Sequence, residues 1–217
     1  MFHPLQLVPH RTRPKLMWPV ALIACGLALA LTWQGFELKS KSAPQGIVSL
    51  ELASSGKAVQ TILDEWRGDH PGISMEDNLD KMVQAVPKGK DELALRLTMF
   101  DFIFLLAYAT ALSMSCVWLA RRAGLAALGT GLGWAIWLGA LLDAVENTLL
   151  LRQMNGATEN STALATLCCA LGKFAIFLAA LGFTSYALWK TDSKVLGGLF
   201  ALVWIATLYS VVAALLM

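Results

Sequence analysis

Five stretches of the chain are apolar almost without interruption: 17–36, 97–120, 125–151, 163–188 and 195–217. Each is long enough to cross a bilayer as a helix, which takes about 20 residues. Residues 1–16, ahead of the first stretch, are short and basic. That stretch is longer than the apolar core of a cleavable signal peptide, about 7 to 15 residues. It is therefore expected to stay as a span, although Ala28-Leu29-Ala30 has the form of a cleavage motif. Residues 37–96 hold the dense polar part of the chain and form an insert between spans one and two. Within it Ala58, Val59, Ile62, Leu63 and Trp66 recur at steps of three and four, which predicts an amphipathic helix over 55–66. Ser74, with Asp77 three residues on, resembles a capping box and predicts a second short helix over 74–83. Upstream, Ile47 to Leu52 is too short to separate a strand from the start of a helix. The pattern predicts an all-α membrane protein, a five-span helical bundle with a helical extracytoplasmic insert. At about 60 residues the insert makes only a marginal core alone, so it is expected to lie on the membrane domain or on a partner.

Composition sharpens this. The chain is 57% hydrophobic and 15% charged, against about 25% charged for soluble domains. Nothing in it points to nucleic acid; the expected partners are membrane lipids and, through the 37–96 insert, a protein. The placement of charge matters more than its sum. Arg11, Arg13, Lys15, Arg121, Arg122, Lys190 and Lys194 all flank span ends on one side, which sets the N-terminus inside and the C-terminus, the insert and the 152–162 loop outside. Cys25, Cys116, Cys168 and Cys169 fall in apolar runs without metal-ligand spacing, which reads as packing rather than disulfides. His3, His10 and His70 lie outside the expected spans, leaving no ligand for an intramembrane haem. The sequence names no cofactor. Trp18, Trp33, Trp118 and Trp189 stand near span ends, where an interfacial aromatic belt is expected.

The candidate chemistry lies inside the spans. Asp143, Glu146 and Asn147 in span three are spaced i, i+3, i+4, which puts two carboxyls and an amide on one helix face. Span two carries Asp101, Tyr108 and Ser115 seven residues apart, a polar seam. Span four carries Lys173, sharing a face with Thr166 and Cys169. At 1.5 Å per residue Asp101 lies about 6 Å below the outer edge, Glu146 about 8 Å, Asp143 about 12 Å, and Tyr108 and Lys173 about 16 Å. Three helices thus bring ionisable groups into one half of the bilayer, where each costs roughly 2.5–3.5 kcal/mol on insertion scales. Asp143 is the depth-matched partner for Lys173, which leaves two acids over. Asp101, Tyr108, Asp143, Glu146, Asn147 and Lys173 form either a polar clamp between helices or a site for a lipid-like molecule or a cation. The second is favoured, because a buried ion pair alone is a poor stabiliser. Carboxylate acid–base chemistry on a lipid is the enzymatic alternative, but no nucleophile elbow, zinc motif or phosphate loop accompanies it. An accessory subunit docking a partner through the insert is another. Gly129 and Gly133 form a GxxxG, which serves a contact inside the bundle as readily as a dimer. Asn160-Ser161-Thr162 matches a glycosylation sequon.

The segments IVSLELA (47–53), AVQTILDEW (58–66), DFIFLLAY (101–108) and LDAVEN (142–147) together resemble small bacterial integral membrane proteins of unassigned function, over about residues 47–152. That resemblance implies a bacterial inner-membrane location and draws attention to Asp101, Tyr108, Asp143, Glu146 and Asn147. It implies no reaction and no ligand.

Overall fold

The computed structural model describes residues 2–9, 11–68, 89–191 and 193–216, and among these it is helical throughout, with no strand. The helices are α1 (Arg13–Gly35), α2 (Ile47–Glu51), α3 (Gly56–Arg67), α4 (Lys90–Ala123), α5 (Ala126–Met154), α6 (Asn160–Lys190) and α7 (Lys194–Leu215). Five of them, α1 and α4 to α7, are long and apolar enough to cross a membrane. The chain is a multi-pass all-α membrane protein. The helix expected over 74–83, and His10 and His70, lie outside the described residues.

Short connections make consecutive spans antiparallel neighbours. Gly124 adopts φ 73°, the left-handed conformation that ends α4, and its N–H bonds back to the carbonyls of Ala120 and Arg121. Beside this turn the GxxxG is spent inside the molecule. A Cβ on Gly129 would run into Ala120 and the Cys116 carbonyl, and one on Gly133 would lie 2.7 Å from Val117. Glycine therefore lets α5 close on α4. In turn α6 packs on both α4 and α5, while α7 leans on α6 and α1 on α4, leaving most of α1 and α7 to face lipid.

The insert is roofed onto the bundle. Its amphipathic helix α3 starts where Ser55 Oγ accepts from the Ala58 N–H, and it buries Val59, Ile62, Leu63 and Trp66. With 34 residues, α4 runs about 51 Å, longer than a hydrocarbon core of about 30 Å. Its first turns project beyond the expected span, and Leu93, Ala94 and Leu97 there complete the insert's core with Leu38, Leu50, Leu150 and Ala163. Asp91 sits in the first turn of this extension, whose N-cap is Gly89. The indole of Trp66 donates to the Leu38 carbonyl at 2.9 Å, and Arg67 to the Met154 carbonyl at 2.8 Å. Asn160 of the sequon accepts from the Gly56 N–H at 2.8 Å, so it serves as an anchor for the insert.

The undecided segment Ile47–Glu51 is a helix. It enters after Gly46 at φ 62°, and its C-terminal end points into the bundle, with Leu52 buried against Ala170, Val211 and Ala214. That orientation delivers one charged side chain, Glu51, to the membrane domain.

Candidate functional site

The site gathers at the insert end of the bundle around one ammonium. Lys173 on α6 donates to Glu146 Oε1 at 2.8 Å and to Asp143 Oδ1 at 2.9 Å. The helical i, i+3 spacing puts both carboxyls on the α5 face that meets α6. A third acid, Glu51 Oε2, lies 3.4 Å from the same nitrogen. The side chains are nearly closed off from solvent: 12% exposed for Lys173, 6% for Asp143, 0% for Glu146 and 10% for Glu51. The ammonium thus donates to two carboxylates of α5 and forms a longer ion pair with a third from α2.

Around this centre, Tyr108 Oη donates to Asp143 Oδ2 at 2.8 Å, and Asn147 Nδ2 donates to Asp101 Oδ2 at 2.8 Å. The rings of Phe104 and Phe177 fix Tyr108, with centroids at 5.2 and 5.7 Å. The ammonium also lies 5.1 Å from the ring centre of Phe174, within cation–π range. Beneath the cluster is a cavity of about 10 Å³, lined by Tyr108, Leu112, Ile136, Gly139, Lys173, Ile176 and Phe177. It is about the space one water fills.

The six residues singled out by sequence thus come together, with three corrections. Lys173 does not pair with Asp143 alone but bridges Asp143 and Glu146. Ser115 does not join the seam, because its hydroxyl turns back to the Ala111 carbonyl at 2.9 Å. Trp118 is more than a belt residue, since its indole donates to the Leu5 carbonyl at 2.9 Å. Glu51 is the residue that sequence reasoning missed. The signal was there: it is the sole charge in the apolar run 47–53.

Three carboxyls, Glu51, Asp143 and Glu146, therefore converge on one lysine, and a fourth, Asp101, is held beside them by Asn147. Among the described residues, Glu51 Oε2 and Glu146 Oε2 are buried and accept no hydrogen bond. Glu51 Oε2 has only its long ion pair with Lys173. The arrangement is rich in acceptors and short of donors, so what it can do is receive positive charge. Among the described residues, no three His, Cys, Asp or Glu side chains are set to hold a metal ion.

No family model matches this sequence, and no curated protein or solved structure is similar to it. The site has to be read from its own chemistry.

Proposed function

We propose that this is a bacterial inner-membrane protein with its N-terminus in the cytoplasm and its insert and C-terminus outside, whose acidic site binds a cation carried by a lipid-like molecule, specifically a primary ammonium headgroup. The observation that carries this reading is the pair of buried carboxylate oxygens without donors, in a cluster with four acids and one base. Lys173 itself supports it, since an ammonium held by three carboxylates is the geometry such a headgroup would reproduce. Donor-rich primary ammonium satisfies free oxygens in a way that a methylated one does not. The depth of the cluster on the insert side fits a ligand arriving from the outer leaflet. The cavity beside the cluster admits about one water.

The test is native mass spectrometry of the purified protein with lipids of equal chain length. Lipids with a primary ammonium head should be retained about tenfold more than those with a trimethylammonium head, a difference of about 1.4 kcal/mol. Glu146→Gln should erase the preference. Equal retention of the two, or a preference indifferent to Glu146, would overturn the reading.

A further inference from the structure

The opposite end of the bundle carries the reverse charge. The described segments that meet there, 2–9, 11–16, 121–125, 190–191 and 193–195, carry Arg11, Arg13, Lys15, Arg121, Arg122, Lys190 and Lys194. Three of these cations are brought together by the fold. Arg13, at the start of α1, lies with its guanidinium 5.8 Å from the ring centre of Trp118 and donates from Nε to the Val8 carbonyl at 2.9 Å. Trp118, Arg121 and Arg122 are spaced i, i+3, i+4 on α4, so the two exposed arginines stand one turn beyond the ring on which Arg13 rests. Burial, and then the like charges of Arg121 and Arg122, hold the Arg13 guanidinium below its ordinary value. The three charges therefore feel one another.

Beside this cluster the N-terminal segment folds in along the membrane edge. A 3₁₀ turn, Pro4–Leu7, is held against α4 and α5 by the indoles of Trp118 and Trp134, which donate to the Leu5 and Phe2 carbonyls at 2.9 and 3.0 Å. Gln6 donates to Thr130 Oγ1 at 2.8 Å, and His3 is buried against Gly133 and Trp134. Phe2 and Leu7 are left pointing outward, as is Trp18. Apolar side chains that would enter acyl chains thus sit next to guanidiniums at headgroup height.

We propose that Arg13, Arg121 and Arg122, with the docked N-terminal turn as its apolar flank, form a binding site for the phosphate of an anionic phospholipid. Guanidinium forks match phosphate oxygens bidentately, and basic clusters at the ends of spans are suited to anionic headgroups. The neighbouring apolar side chains favour a phosphate that brings acyl chains with it over a free one.

The test uses the full chain in nanodiscs containing equal parts of an anionic phosphatidylglycerol and a zwitterionic phosphatidylcholine, with native mass spectrometry counting the lipids that stay bound. Arg121→Gln with Arg122→Gln is the working variant, since both side chains are exposed and the fold should hold. Lys190→Gln with Lys194→Gln removes the same charge elsewhere on that end. The expected result is a severalfold excess of the anionic lipid on wild type, kept by the lysine variant and lost by the arginine variant. Equal loss in both would mean diffuse surface charge and would overturn the proposal. Displacement of the bound lipid by millimolar inorganic phosphate would overturn the lipid assignment in favour of a free anion.

Discussion

Glu51, from a five-residue helix outside the membrane spans, reaches to 3.4 Å from the ammonium of Lys173 in the middle of α6. That contact joins the insert to the membrane domain through charge as well as packing, and it makes the insert part of the site. The nearby Leu52 is buried among residues of α6 and α7, so packing as well as charge holds this end of the insert.

Glu51→Gln should therefore weaken the attachment of α2 without unfolding the bundle. Lys173 keeps two closer carboxylates, so the loss should fall well below the about 3–5 kcal/mol that stripping a partner costs a buried ion pair. Hydrogen exchange should quicken over Ile47–Glu51 while α5 and α6 stay protected. Uniform protection in the variant would show that the pair contributes nothing to holding the insert.

Removing the lysine has a larger effect. Lys173→Met leaves three carboxyls without their shared base, and stripping one partner from a buried ion pair costs about 3–5 kcal/mol. Adding Glu146→Gln to that variant should recover part of the loss, because it takes away a charge that has become uncompensated. A double-mutant cycle on thermal stability reads the coupling. Additive losses would mean that the two groups do not sense each other.

The glycines of α5 make a prediction about packing. Gly129→Ala places a methyl against Ala120 and the Cys116 carbonyl and should destabilise by about 1–3 kcal/mol, as overpacking does. Gly131→Ala meets nothing within 4 Å and should be neutral or stabilising by up to about 1 kcal/mol through helix propensity. Neither should alter the oligomeric state measured by light scattering, since the tight face is turned to α4.

Outside the membrane, Glu65 ties the loop after α1 to α3. Hydrogen bonds from the Ser42 side chain and N–H, then from the Ser40 hydroxyl and the Lys41 N–H, hold its carboxyl down at about 2. An unfolded carboxyl titrates near 4.5, so on acidification the unfolded chain takes up the proton first. The stabilisation is whole above that value and is lost as pH falls towards about 2. Thermal unfolding followed from about pH 6 to about pH 3 should show a steeper decline in wild type than in Glu65→Gln. Parallel declines would remove Glu65 as a source of acid sensitivity.

Much of this architecture is written in hydropathy, because a helix that crosses a bilayer satisfies its own backbone and needs a long apolar run to do so. Asp143, Glu146, Asn147 and Lys173 were legible for the same reason: a charge within an apolar helix has to face something. Glu51 showed only as a lone charge in a short apolar run, because five residues carry no usable period and its partner is decided by how α2 meets α6 and α7. Ser115 misled the reading of the seam, since a hydroxyl satisfies itself on its own helix whichever way the helix faces. The docking of Phe2 to Val8 depends on two indoles distant in sequence, a relationship no local pattern encodes.

We propose a site that binds a primary ammonium, and the position of the Lys173 ammonium among three carboxylates is a seat of that same chemistry. Lys173→Ala empties that seat, and the thermal midpoint of the variant in methylammonium chloride, against tetramethylammonium chloride at equal ionic strength, measures what the seat accepts. Methylammonium should restore a large part of the lost stability and tetramethylammonium little of it. Equal effects of the two salts would contradict the claim and leave the cluster as a structural clamp.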